Sequence, residues 1–252
     1  MSKAARWKWH VRGNWNPRQD RFPSAVWLGI LWIGMLLGFG LDAKPFLGTH
    51  PPLLLHLHAG TFTIWMFLLT TQVLLVVRNR VHMHRKLGWV LAAWACLMGV
   101  MGPVAVYTVV MMRVKGHGPF PYPFMSVHIV DIGGFLVLLA IGIAMRRNSA
   151  AHKRFMILST VALADPGFNR FIGYVYHGDP QTPFYSFLFV FYGDLLIVAL
   201  MLGWDFYRGR LIRSHVIASI SLLTCMYFAA VLYCWPPWQN LTLQWVTAWA
   251  KH

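Results

Sequence analysis

Glutamate is absent from this 252-residue chain, and its acidic side chains amount to seven aspartates. Charged residues make up only 12% of the sequence, about half of what a soluble domain carries. A solvated globular enzyme is therefore excluded. Cysteine is scarce as well: Cys96, Cys225 and Cys234 fall in or near apolar runs. Three such residues build no disulfide framework and show no metal-ligand spacing, so they read as packing residues. The short alternating segments of a membrane β-barrel are also missing. What the chain does have is apolar sequence: 58% hydrophobic residues, in runs of about 20, the length that crosses a hydrocarbon core.

These runs predict an all-α, polytopic membrane helix bundle with about seven transmembrane helices, near 24–43, 53–77, 87–112, 125–145, 155–176, 184–207 and 214–235. Residues 1–23 form a basic, Trp-containing tail, 24–235 the membrane domain, and 236–252 an outer tail. In that last segment Leu241, Trp245 and Trp249 share a helical stripe, which suits an aromatic anchor lying in the interface. The first apolar run is long and lacks a small-residue cleavage site, so it reads as a retained helix and not as a signal peptide.

A net charge of +15 could suggest a nucleic-acid partner, but the placement of the charge points to the bilayer. Seventeen of the 22 basic residues fall in the N-terminal tail and the loops after spans 2, 4 and 6. The asymmetry predicts a plasma (inner) membrane protein with its N-terminus in the cytoplasm and its C-terminus outside. The expected partners are lipid and a redox or other membrane protein.

Two histidine-bearing units repeat. In the first, His58 opens a span that ends at "RNR", and "HRK" (His84, Arg85, Lys86) precedes the next. In the second, His128 opens a span that ends at "RR", followed by "HKR" (His152, Lys153, Arg154). The offsets are 70 residues at the first histidine and 68 at the second. Spans 2–3 and 4–5 thus form a parallel repeat of helix pairs, an arrangement that places sites at the repeat interface. His58 or His56 then faces His128 near the outer surface, and His84 faces His152 near the inner one. His56 and His58 are about 200° apart around a helix, so only one can point at His128; the sequence does not choose. His10, His50, His82, His117 and His252 read as loop or interface residues.

Asp131, Asp165 and Asp194 fall inside predicted spans, where ionisable residues need partners. Asp131 lies one turn beyond His128 and can orient its imidazole. In "ADPGFNR" the proline and glycine should break the fifth span beside Asp165. A polar pocket is expected there, lined by His56 or His58 with His128, Asp131, Asp165, Asn169 and Arg170. The blander reading is a structural Asp–Arg pair.

Over about residues 53–173, "HLHAGTFTIW", "HRKLGW" and "HKRFMILSTVALADPGFNR" resemble a group of uncharacterised bacterial multi-pass membrane proteins with an HxH…HRxLG…HKRxM pattern. A looser likeness is to the six-helix di-haem cytochromes b. In those, four central helices supply one histidine pair near each membrane surface. This chain departs in having its histidines close to the membrane edges and a seventh span. The likeness implies b-type haem and transmembrane electron transfer, with His56 or His58, His84, His128 and His152 as ligands. Arg85, Lys86, Lys153 and Arg154 would then neutralise propionates. One alternative is an intramembrane zinc hydrolase similar to ceramidases and adiponectin-receptor-like proteins, with Ser126, His128 and Asp131 as matching parts and His58, His128 and Asp131 as metal ligands. Its H-x-x-x-H in the last helix is absent, because His215 stands alone at that helix's start. The other alternative is a non-catalytic scaffold, assembly factor or transporter without cofactor.

Overall fold

A computed structural model describes residues 8–11, 16, 21–41, 51–116, 122–175 and 182–250. Lys3, Arg6, Trp7, Arg12, Trp15, Arg18, Lys44, His50, His117, Lys251 and His252 lie outside the described residues, as do the side chains of Lys8, Trp9 and His10.

Among the described residues the helices are α1 (Phe22–Leu41), α2 (Leu53–Val77), α3 (Val81–Lys115), α4 (Met125–Ala144, preceded by a 3₁₀ turn), α5 (Ser149–Val161), α6 (Asp165–Val175), α7 (Pro183–Tyr207), α8 (Arg213–Cys234) and α9 (Pro236–Trp249). Six of them (α1, α2, α3, α4 with its 3₁₀ turn, α7 and α8) are long and apolar enough to cross a membrane. Their outward faces carry large apolar residues such as Phe22, Leu36, Phe67, Trp89, Val137 and Phe228. Apolar surface of that kind belongs against lipid, and the protein is an integral, multi-pass membrane protein.

Span 5 of the sequence reading is two short helices. Asn148 caps α5, its Oδ1 accepting from the N–H groups of Ala150 and Ala151. The chain leaves the helix at 162–164 and starts again at Asp165. Pro166 suits the new first turn, since its missing N–H would have had no helical partner there. The break lets α6 lie tightly on α1: a Cβ on Gly38 would sit 1.7 Å from the Gly167 carbonyl oxygen. The Phe168 ring fills the space that side chains on Gly34 and Gly193 would need.

Basic segments gather at one end of the bundle. Strand β1 (Lys8–Val11) pairs antiparallel with β2 (Arg210–Ile212). Arg21 donates to the Val76 carbonyl and to Asn79 Oδ1. The N-terminal segment, the α2–α3 turn and the α7–α8 turn therefore meet there. At the other end α9 folds back: Trp238 Nε1 donates to the Pro123 carbonyl, and Trp249 packs against Tyr107.

The core lies where α2, α4, α5, α7 and α8 face one another. Trp65, Phe135, Leu158, Phe191, Ile197 and Met226 are fully buried in it. Trp65 and Phe135 meet edge to face, and Trp65 Nε1 donates to Thr160 Oγ1 at 3.3 Å. α2 is thereby tied to both α4 and α5.

Candidate functional site

At the basic end, His84 of α3 and His152 of α5 stand side by side. Their ring centroids are 6.1 Å apart and their planes 83° apart. Both are half-buried. His84 Nδ1 is 3.4 Å from the carbonyl oxygen of Gln72 on α2, and His152 Nδ1 is 2.8 Å from that of Gly142 on α4. A ring that gives its Nδ1 proton to a carbonyl keeps Nε2 as a lone-pair donor, which is how metal-binding imidazoles are commonly oriented. Nearby, the Gln72 side chain is 3% exposed, and neither its Oε1 nor its Nε2 has a hydrogen-bond partner. Gly88, one turn beyond His84, leaves room beside that amide: a Cβ there would still be 3.7 Å from Gln72 Nε2.

The second pair lies toward the other end. The α2 helix turns His56 to its exposed face and His58 inward. The His58 ring reaches the Met101 backbone of α3, and its Nδ1 is buried without a partner. His128 is within electrostatic reach of His58 and of Arg170, and its ring packs edge to face against Phe124 at 5.2 Å.

Beside His128, three carboxyl groups share a buried region. Asp131, Asp165 and Asp194 are 4%, 2% and 0% exposed, and their charges act on one another. Asn169 is half-buried. Arg170 is exposed; it donates to the Pro166 carbonyl at 2.8 Å and stacks over Phe39. Its charge acts on Asp165. Asp194 completes the group from α7. Its position in the middle of a span was the available signal, although the sequence spacing tied it to no partner.

The four basic residues expected around a cofactor divide. Arg85 and Lys86 are exposed next to His84. Arg154 is buried and committed elsewhere: Nε donates to Asp205 Oδ2 at 2.5 Å and Nη2 to Oδ1 at 2.7 Å. Asp205 also accepts from His215 Nδ1 at 3.0 Å. This Arg154–Asp205–His215 cluster was not legible from sequence, because its members come from three helices and His215 looked isolated. Lys153 lines a cavity beside the cluster, on a different flank of α5 from His152.

Among the described residues, no three His, Cys, Asp or Glu side chains come together as ligands for one metal ion. Ser126, one part of the zinc-hydrolase pattern, donates its hydroxyl to the Ala229 carbonyl at 2.8 Å and so serves packing between α4 and α8. No family model, curated protein or solved structure matches the chain.

Proposed function

We propose that the chain is a transmembrane electron carrier that holds b-type haem between paired histidines, His84 with His152 at the basic end and His58 with His128 toward the other. The His84–His152 pair carries this reading. Two imidazoles bound to one metal ion at about 2 Å have ring centroids about 6 Å apart, and the observed separation is 6.1 Å. Both rings also reserve Nε2 by the same backbone contact. Haem bound there would supply reversible one-electron chemistry. His84 and His152 would hold it, with their tautomers set by the Gln72 and Gly142 carbonyls, and Arg85 and Lys86 would face its propionates. The unpartnered Gln72 amide is a polar group that such a ligand could satisfy. Arg154 has no part in this site, because its guanidinium is taken by Asp205.

The same contacts support the repeat. Gln72 and Gly142 are 70 residues apart, as are His58 and His128, and Trp65 and Phe135; His84 and His152 are 68 apart. Trp65 meets Phe135 and His84 meets His152, as equivalent residues near a shared axis do. The direction of the chain supports a seventh crossing. The chain leaves α4 at the basic end, where α5 starts, and α7 returns to that end at Tyr207. We read α5 and α6 together as one interrupted span that carries it across. With the basic end in the cytoplasm, the C-terminus is outside, and a reporter fused after His252 should be exported.

A visible spectrum of purified protein tests the cofactor. The expected outcome is the sharp reduced-minus-oxidised absorbance of bis-histidine haem. His84→Ala with His152→Ala should remove part of it without removing the rest. Colourless protein, or a spectrum indifferent to both histidine pairs, would leave the scaffold or transport reading in its place.

A further inference from the structure

Two helical hairpins end side by side at the basic end, and their tips carry exposed cations. Asn79 takes a left-handed backbone, φ 61°, which asparagine tolerates better than most residues. It lets α2 turn into α3 within residues 78–80. Asn148 caps α5 and lets α4 turn into α5 within residues 145–148. Arg78 and Arg80 are exposed on the first tip, and Arg146 and Arg147 on the second. Arg85 and Lys86 add two more exposed cations one turn further along α3. Among the described residues every carboxylate is buried: Asp131, Asp165, Asp194 and Asp205 are at most 6% exposed. No described acidic side chain at the surface offsets the tips, so their positive field extends into the water in front of them.

Helix length carries the tips out of the apolar layer. α2 has 25 residues, about 37 Å at 1.5 Å each. α4 with its 3₁₀ turn has 23, about 35 Å. The hydrocarbon core is roughly 30 Å thick. The arginines follow the last apolar turn of each helix and stand clear of it.

The tips also frame the inner histidine pair. His84 N–H donates to the Arg80 carbonyl at 3.1 Å, and His152 N–H donates to the Asn148 carbonyl at 2.9 Å. Each histidine is thus one helical turn behind its own tip. The charge of Arg85 reaches the His84 ring. Whatever exchanges electrons with a site held by His84 and His152 from the water on that side approaches over these cations. Anionic headgroups answer positive charge at a membrane surface, but they carry no electrons.

We propose that the two cationic tips are the docking face for a soluble protein electron carrier that holds its redox group in an acidic face. One electron passes between that group and the site held by His84 and His152, one being oxidised as the other is reduced. The partner's redox chemistry rests on the haem reading above, whereas the docking face rests on charge and position. Opposite charge steers such a carrier to the tips and raises its association rate. Encounters of this kind bury less than about 1,200 Å² in total, which allows rapid release after transfer.

The test uses the full chain in nanodiscs of phosphatidylcholine. It is titrated with an acidic flavodoxin and, as the probe of wrong sign, with basic cytochrome c. Microscale thermophoresis gives the binding at about 10 mM and about 1 M salt, where the Debye length falls from about 30 Å to about 3 Å. Flavodoxin is expected to bind at low salt and to weaken at least about tenfold at high salt, and cytochrome c to bind at neither. Arg78→Glu with Arg147→Glu should weaken flavodoxin about tenfold. Arg208→Glu with Arg213→Glu makes the same change in net charge on the α7–α8 turn and should weaken it less than about threefold. None of these four arginines is placed at the haem, so both double variants should keep the spectrum of the unaltered protein. In protein that carries haem, reduction by reduced flavodoxin should slow in step with binding. No binding, or equal weakening in both double variants, overturns the docking face. Binding that disappears when phosphatidylglycerol is added to the nanodisc assigns the tips to headgroups and overturns it as well. Unchanged haem reduction in Arg78→Glu with Arg147→Glu overturns the electron-carrier assignment. Colourless protein that binds flavodoxin in the expected pattern keeps the docking face and refutes the haem.

Discussion

Trp65 and Phe135 meet edge to face with ring centroids 4.9 Å apart and planes 88° apart, and neither side chain is exposed. They sit between the two histidine pairs and join α2 to α4. Aromatic pairs in this geometry contribute about 0.5–1.5 kcal/mol beyond the area they bury. Trp65→Ala removes that contact and opens a large cavity, so it should cost about 3–5 kcal/mol. Trp65→Phe keeps most of the ring contact and loses the hydrogen bond to Thr160, at about 1 kcal/mol. Trp89 is 66% exposed on the lipid-facing side, and Trp89→Ala should change stability little. Thermal unfolding of the three variants in one detergent orders them; a Trp65→Ala protein as stable as Trp89→Ala would show that the core is not centred there.

Close approach of α6 to α1 yields a second contrast. A methyl group on Gly38 would collide with the Gly167 carbonyl, which is backbone and cannot rotate away. Gly38→Ala must push the two helices apart, at about 1–3 kcal/mol for overpacking. At Gly29, on the same helix, a Cβ would meet nothing within 4 Å. Gly29→Ala should therefore stabilise slightly, by up to about 1 kcal/mol, through helix propensity alone. Opposite signs in the melting temperature are expected, and the same sign for both would mean that α1 and α6 do not pack at Gly38.

The buried ion pair predicts a non-additive double mutant. Arg154 and Asp205 are each 6% exposed, so removing either one strands the other charge. Arg154→Met and Asp205→Leu should each cost about 3–5 kcal/mol. Together they should cost clearly less than the sum, because no charge is left unpaired and apolar replacements of buried pairs are often tolerated. A double-mutant cycle on thermal or denaturant unfolding measures the coupling. Additive losses would mean that the pair is not formed in the membrane-embedded protein.

How much of this was legible in the sequence depends on whether the signal was local. Long apolar runs have one physical reading, and six helices that could cross a membrane stand where six of the seven predicted spans were drawn. The break before Asp165 was equally visible, since proline and glycine act on their own backbone. At the acidic group, Asp131, Asp165 and Asp194 were named from their depth in the spans, and only the first two were placed in one pocket. Asp194 could not be joined to them without knowing that α7 lies against α6. Arg154 is the instructive miss. In sequence it stands beside His152 and invites the same role. On a helix two positions mean opposite flanks, and its flank faces Asp205, 51 residues away. Charge type could be read from the chain, but pairing could not, because pairing depends on helix neighbours.

His56 and His58 allow the cofactor reading to be tested with its own control. They are two residues apart on α2, identical in chemistry and near the same membrane edge. His56 is exposed, whereas His58 is turned inward with Nδ1 buried and its ring against α3. If the outer site is held by His58 with His128, His58→Leu should abolish that site while His56→Leu leaves it intact. Haem content and reduced-minus-oxidised absorbance, both normalised to protein, are the readouts. The expected result is a loss of about half the haem in His58→Leu and in His128→Leu, since a bis-histidine iron loses an axial ligand in either case. His56→Leu should match the unaltered protein. Leucine is chosen because it fills most of the space and favours the helix, so a loss of haem cannot be ascribed to a cavity. Equal loss in His56→Leu and His58→Leu would make the effect one of the membrane edge and would remove His58 as a ligand.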